Sequence, residues 1–346
     1  RAVATAAVLA LMATAAGCGD SDSGSEPAAT DPAVSTQPAA STEPAAPATE
    51  PEAGAWPRTV THELGTTEIP AQPERVVSTT ITATGTLLAI GAPLVASAAT
   101  SVGWGGADDR GFFTQWSDVA TERGVEVLYP DLEFDLEAVI AAEPDLIVVS
   151  TSGADTVADH YDQLADVAPT VVVNYSDKSW QELAVVLGEV TGLEQQAADV
   201  VAEFDEYVAA AAASVTVPDP NTVSIISFNG AEYDTAVAKL TSAHAAILEP
   251  LGFEVVPADD ALDTSEQDRQ DFAFVSMENV TKAVTGEHVL MISATDDDVP
   301  LFAEDPTLAN LTAITEGQVF ALGLESFRID NYSGRMLVDR LVELFG

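Results

Sequence analysis

The chain has 346 residues, 47% of them hydrophobic, so it can bury a substantial core and is long enough for two lobes. Against 56 Asp and Glu stand 12 Lys and Arg, a formal net charge of −44, which excludes nucleic acid or anionic lipid as a partner held by bulk electrostatics. The single cysteine, Cys18, excludes intrachain disulfides and a cysteine metal cluster.

The first stretch, "AVATAAVLALMATAAGC", is apolar but too short to span a membrane comfortably, and it reads as a secretion signal. Its end, Ala15-Ala16-Gly17-Cys18, resembles a bacterial lipobox with Ala in place of the usual Leu, so residues 1–18 are expected to be a signal peptide with Cys18 as the lipidated residue. Residues 19–57 are rich in Pro, Ala, Ser and Thr and carry acids without bases. They cannot form a core and are expected to be a disordered tether.

Order begins near Thr59. "RVV" opens a strand, "TGTLLAIGA" reads as a helix closed by Gly91, and "PLVASAAT" is a second strand. The loop "SVGWGGADDRGFFTQW" follows, rich in glycine and aromatics, and then the extended "VEVLYP". In "LEFDLEAVIAAEPDLIVVS", Asp135 can cap a short helix whose apolar face is Leu136, Val139 and Ile140. Pro144 ends it, and Leu146 to Val149 form the unbroken apolar run of a parallel strand. "TVADHYDQLADVA" is helical, "PTVVVNY" a strand, and "SWQELAVVLGEVTG" a helix stopped by Gly192. This alternation predicts an α/β lobe over 58–192. One long helix over 193–217 comes next, broken by "PDPN", and a second alternating set over 218–346 predicts another lobe. The expected architecture is two Rossmann-like lobes with mostly parallel sheets joined by one long α-helix, with a ligand site in the cleft between them.

Several chemistries find no support. The four histidines are scattered, which argues against direct capture of zinc or manganese, and "ATDDDVP" lacks the glycine and distal glutamate of an EF-hand. There is no nucleophile elbow, HExxH motif or phosphate loop. An enzyme, for example a tethered extracellular hydrolase, is the distant alternative.

Four stretches carry a family resemblance: "PERVVSTTITATGTLLAIGAPLVA", "DLEAVIAAEPDLIVVS" with "YDQLADVAPTVVV", "SWQELAVVLGEVTGLEQQAADVVAEFDEYV", and "DPTLANLTAITEGQVFALGLESFRIDNYSGRMLVDRLVEL". In their order and spacing the chain from about residue 59 onward resembles the substrate-binding proteins of ABC importers for ferric siderophores, haem and cobalamin. Within that family it looks closest to members for catecholate siderophores such as ferric enterobactin. The resemblance implies an extracytoplasmic binding protein that hands a ferric siderophore to an ABC permease dimer. It also implies a lipid anchor on the outer face of the bacterial cell membrane, no resident cofactor, no nucleic acid, and a monomer. A hydroxamate siderophore is the alternative cargo, followed by haem or cobalamin. By the same resemblance one glutamate on each lobe docks into arginine pockets of the permease, here Glu137 and Glu249, although each could be an ordinary exposed glutamate in so acidic a chain.

A ferric tris-catecholate is a bulky trianion, so its pocket needs guanidinium groups and aromatic walls. Arg328 with Phe327, after the strand "VFALGL", is the leading candidate, with a loop ion pair to Asp330 as its ordinary alternative. Arg110 and Trp104 in the glycine-rich loop come next, with Asp108 and Asp109 weighing against Arg110 and with Phe113 and Trp116 as aromatics that could simply pin the loop. Lys239, Tyr233 and Asn229 occupy the matching segment of the second lobe, and Tyr175 and Lys178 follow "VVV" where the family often presents an aromatic. Arg269 is a further possibility whose acidic neighbours favour an ion pair.

Overall fold

The computed structural model describes residues 55–265 and 269–346. The expected signal peptide with Cys18, and the tether up to residue 54, lie outside the described residues. The first lobe runs β1 (Arg58–His62), β2 (Gly65–Ile69), β3 (Val76–Ser78), α1 (Ile81–Ala89), β4 (Leu94–Ser97), α2 (Thr114–Glu122), β5 (Glu126–Val127), α3 (Leu136–Ala141), β6 (Leu146–Ser150), α4 (Tyr161–Ala165), β7 (Thr170–Val173) and α5 (Trp180–Thr191). After α6 (Glu194–Ala212) the second lobe runs β8 (Thr222–Ser227), β9 (Thr235–Ala238), α7 (Ala243–Leu248), β10 (Glu254–Val255), β11 (Phe272–Val275), α8 (Val280–Ala283), β12 (His288–Met291), α9 (Val299–Ala303), α10 (Thr312–Thr315), β13 (Val319–Ala321) and α11 (Asn331–Phe345).

The first lobe's five strands lie in the order β5-β4-β3-β6-β7, all parallel. β3, β6 and β7 are buried along their whole length, as strands covered on both faces must be. The antiparallel hairpin β1-β2 has no counterpart in the sequence reading, because few of its side chains are buried. It covers the end of the sheet at β7: the Glu63 N–H donates to the Val172 carbonyl at 3.1 Å, and Thr67 Oγ1 donates to the Thr170 carbonyl at 2.7 Å. The Trp56 ring lies under the Arg58 guanidinium at 4.1 Å. In the second lobe the order is β11-β9-β8-β12-β13, with β10 beside β8; β9 alone runs antiparallel to its neighbours.

Between the sheets stand α5, α6 and α11. α5 begins with a capping box, in which Ser179 accepts from the Glu182 N–H and Glu182 accepts from the Ser179 N–H, and it ends on Gly192 at φ +72°. The buried stripe of α6 is Ala197, Phe204 and Val208. Phe204 meets Trp180 of α5 edge-on at 4.9 Å and closes over Gly334 of α11, where an added Cβ would lie 2.9 Å from its ring. α6 stops at Ala212 rather than running to 217; Thr216 has already turned to donate its N–H to the Phe345 carbonyl. α11 also reaches the first lobe, since Asp330 at its N-cap presses against Gly85 of α1.

Candidate ligand-binding cleft

The first lobe builds its wall of the cleft from strand ends. Asp155, after β6, is only 4% exposed and accepts from Thr80 Oγ1 at 2.6 Å, the Thr82 N–H at 3.1 Å and the Tyr175 hydroxyl at 2.6 Å. Tyr175 follows β7. Burial pushes its phenol pKa well up, the Asp155 charge adds to that, and Arg328 opposes it, so the ring is neutral. Its hydroxyl is engaged, which leaves the ring face for the cleft.

Arg328 projects from the second lobe, after the short helical turn Leu324–Phe327 that follows β13. The turn is held rigidly: the Ser293 N–H donates to Ser326 Oγ at 3.0 Å, and His244 Nε2 donates to the Ser326 carbonyl at 2.7 Å. Burial lowers the His244 pKa to about 4, so this ring adds no charge. The Arg328 guanidinium carbon lies 4.4 Å from the Phe327 ring centroid and 5.5 Å from that of Tyr175 across the cleft. Trp104 of the first lobe meets Phe327 edge-on at 5.7 Å. One cation against Phe327 and Tyr175 from two lobes, with Trp104 edge-on to Phe327, is the central feature of the site.

Two depressions adjoin Arg328. One, of about 180 Å³, is lined by Thr82, Thr100, Trp104, Asp155, Phe327 and Arg328 among others; the second, of about 40 Å³, lies among Tyr175, Lys178, Trp180, His244, Asp271 and Arg328. Ligand pockets for molecules of drug size start at about 300 Å³. A ligand of that size therefore needs the lobes, or the rings between them, to part.

The remaining candidates are distributed unevenly. Arg110 is turned away from the cleft: Asp108 takes its Nε and Nη2 at 3.1 and 3.0 Å, and Nη2 also reaches the Ser117 carbonyl and Thr121 Oγ1. The reason is local, a carboxylate two residues upstream that folds the guanidinium back on its own loop. Phe113 and Trp116 are buried, so they pin that loop to the core. Lys239 is engaged by Asp263 Oδ2 at 3.0 Å and the Arg269 carbonyl at 2.7 Å and does not line the cleft. Burial pushes Asp263 up, yet bonds from Ser265, Lys239 and the Phe274 N–H prevail and bring it to about 2. Lys178 stands at the rim with its ammonium on the Asn174 carbonyl, Asp177 and Glu63. Tyr233, 62% exposed, and Asn229 lie in the β8–β9 connection, at the other end of β9 from Lys239, and neither lines the cleft. Asp330 is not the partner of Arg328; it caps α11. Glu137, in the capped first turn of α3, and Glu249, at the end of α7, are both exposed.

Sequence reasoning missed two carboxylates, Asp155 and Asp271, and underweighted Arg269. Asp271 takes Arg269 Nε and Nη2 at 2.9 and 2.6 Å and lies 4.0 Å from Arg328 Nη1. Burial works against the Arg269 charge, but the bonds to Asp271 outweigh it and raise its pKa. No pattern marks these acids among 56.

Comparison with known proteins agrees with this architecture. A family model described as periplasmic binding protein matches residues 76–325. Over 296 residues the chain is 42% identical to the ferric enterobactin-binding periplasmic protein FepB of Escherichia coli, covering 85% of this chain and 92% of that one. The crystal structure of holo-ViuP superposes with a TM-score of 0.79 at 40% identity, covering 84% of this chain and 96% of that one. Staphylococcus aureus SirA complexed with staphyloferrin B superposes with a TM-score of 0.64 at 23% identity over 83% of this chain and 97% of that one, a likeness of fold alone.

Proposed function

The chain belongs to the periplasmic binding protein family, and from that premise we propose that it captures a ferric siderophore of the catecholate type between its lobes and delivers it to an ABC permease. This is binding, with no chemical step. The observation that carries the cargo class is Arg328 set between Phe327 and Tyr175, with Trp104 beside Phe327: a delocalised cation and aromatic walls suit a flat-sided, anionic aromatic chelate. The iron is held through its chelator, with no protein atom completing its coordination. The 42% identity to FepB supports the same choice. Asp155 and Asp271 favour a second reading, a less anionic hydroxamate chelate, because they offset positive charge beside Arg328.

Titration of the protein's tryptophan fluorescence, with Trp104 as the reporter in the cleft, tests the cargo. Ferric enterobactin, a ferric trihydroxamate, haemin and cobalamin are compared. Saturable quenching by the catecholate is expected, weakened about tenfold or more in Arg328→Ala, the scale of one charge-assisted contact. Quenching by the hydroxamate alone overturns the catecholate assignment in favour of the second reading.

Delivery rests on Glu137 and Glu249, exposed on helices of different lobes and suited to charge-assisted contacts with permease arginines, and on Cys18 as a lipidated anchor. The double variant Glu137→Ala, Glu249→Ala is expected to bind chelate as the wild type does and to lose uptake in cells. Unchanged uptake removes the docking role. Cys18→Ser is expected to release the protein from the membrane fraction, and retention there counts against the anchor.

A further inference from the structure

We propose that Asp271 tunes the charge preference of the cleft as an internal counter-anion: it holds Arg269 and stands close enough to Arg328 to lower the affinity for anionic chelates while leaving neutral ones unaffected. The inference rests on the siderophore reading above and deepens it.

Asp271 is 8% exposed and lines the smaller depression beside Arg328. Its two oxygens do unequal things. Both are bound by Arg269 in a forked pair, and Oδ1 also accepts the Phe272 N–H at 3.0 Å. Arg328 Nη1 stands 4.0 Å from Oδ2, close enough for attraction but beyond a hydrogen bond. Arg328 thus keeps its donors for a ligand, while Asp271 remains near enough to repel whatever anion accepts them. In so enclosed a place charges act through a lower effective dielectric than water, so the repulsion is substantial.

The consequence is a penalty that grows with the negative charge of the ligand. Each negative oxygen that reaches Arg328 also meets the Asp271 carboxylate, which offsets part of the attraction. A chelate with several negative charges feels that repulsion more strongly than a singly charged one. A neutral chelate feels neither effect strongly and relies on the rings. His244, uncharged in the same depression, contributes no further cation. Asp271 therefore acts through Arg269 and Arg328, and its substitution must change the dependence of affinity on ligand charge, which a merely structural role would not.

The test compares the wild type with Asp271→Asn and Asp271→Ser, each checked for an intact thermal transition. The probes are trianionic ferric enterobactin and a neutral ferric trihydroxamate, each titrated at low and high salt. Both variants are expected to bind the trianion about tenfold more tightly, with a steeper salt dependence, while affinity for the neutral chelate stays within about twofold. If the wild type binds only the neutral chelate, the catecholate assignment falls, yet the variants must gain binding of the trianion. Unchanged or weaker binding of the trianion by folded variants overturns the counter-anion role, as does an equal gain for both chelates. No binding of either chelate by wild type or variants removes the siderophore reading and this inference together.

Discussion

Asp330 caps α11 by accepting the Tyr332 and Ser333 N–H groups at 2.8 and 3.0 Å, although it is fully enclosed between the lobes. Burial is the dominant influence and raises its pKa from 3.8 to about 6, with the capping bonds and Gln115 pulling the other way. Between those values the folded state holds a proton that the unfolded state has released. Its contribution to stability is therefore fullest below the unfolded value and is lost as pH rises through the folded one. Asn at the same position accepts the same two bonds and does not titrate. The wild type should thus lose stability relative to Asp330→Asn, on the order of 2 kcal/mol, as pH rises from about 4 to about 6, and run parallel to it above. Denaturant unfolding of both proteins across that range measures the difference, and a constant offset would refute the assignment. At this scale the sequence is read unevenly. Arg328 was legible because it follows a strand end beside an aromatic. The partner that holds Arg110 stands two residues away and was visible, whereas Asp263 and Lys239 are brought together only by the fold.

The elements themselves were more legible than the contacts between them. α3 starts at Asp135, which caps it as its position implies, and α5 ends at Gly192 as expected. The hairpin β1-β2 escaped notice because Val60 and Ile69 are its only fully buried side chains, too few to show a period. What sequence could not indicate is where two elements touch most closely, and α1 against α11 is such a place. Gly85 lies within α1, where alanine would ordinarily gain up to about 1 kcal/mol of helix propensity. Here an added Cβ would stand 2.1 Å from Asp330 Oδ2 and 2.9 Å from Trp116 Cδ1. Either α11 or α2 must shift, and both carry large buried side chains. Gly85→Ala should therefore destabilise the protein by about 1–3 kcal/mol despite its better propensity, as overpacking does. A melting temperature at or above the wild type's would show that the lobes give way there at little cost.

Over the whole molecule, the two-lobed plan was legible because strand and helix periods alternate twice around one uninterrupted helical stretch. The helix expected to run to 217 is shorter than that: no glycine or proline precedes Pro218 to mark an end, yet the chain leaves the helix after the alanine run and has turned back by Thr216. The strongest property at this scale is charge. The 12 cations pair with one or two carboxylates where they pair, as Arg58 does with Glu194 and Arg340 with Asp296 and Glu343, so most of the 56 acids lack a cationic partner. Their mutual repulsion reaches about 30 Å at 0.01 M salt and about 3 Å at 1 M. Stability should accordingly rise with KCl over that interval, in contrast to a protein held by surface ion pairs. Salt also strengthens apolar burial, so a second measurement must isolate the charge contribution. α6 supplies it: Asp199, Glu203 and Glu206 are exposed and follow one another at i+4 and i+3, a spacing at which like charges cost about 0.5 kcal/mol or less per pair. Glu203→Gln with Glu206→Gln should raise the melting temperature at low salt and reduce its slope against KCl. A variant whose slope matches the wild type's would trace the salt effect to apolar burial and leave the acidic surface without a cost to the fold.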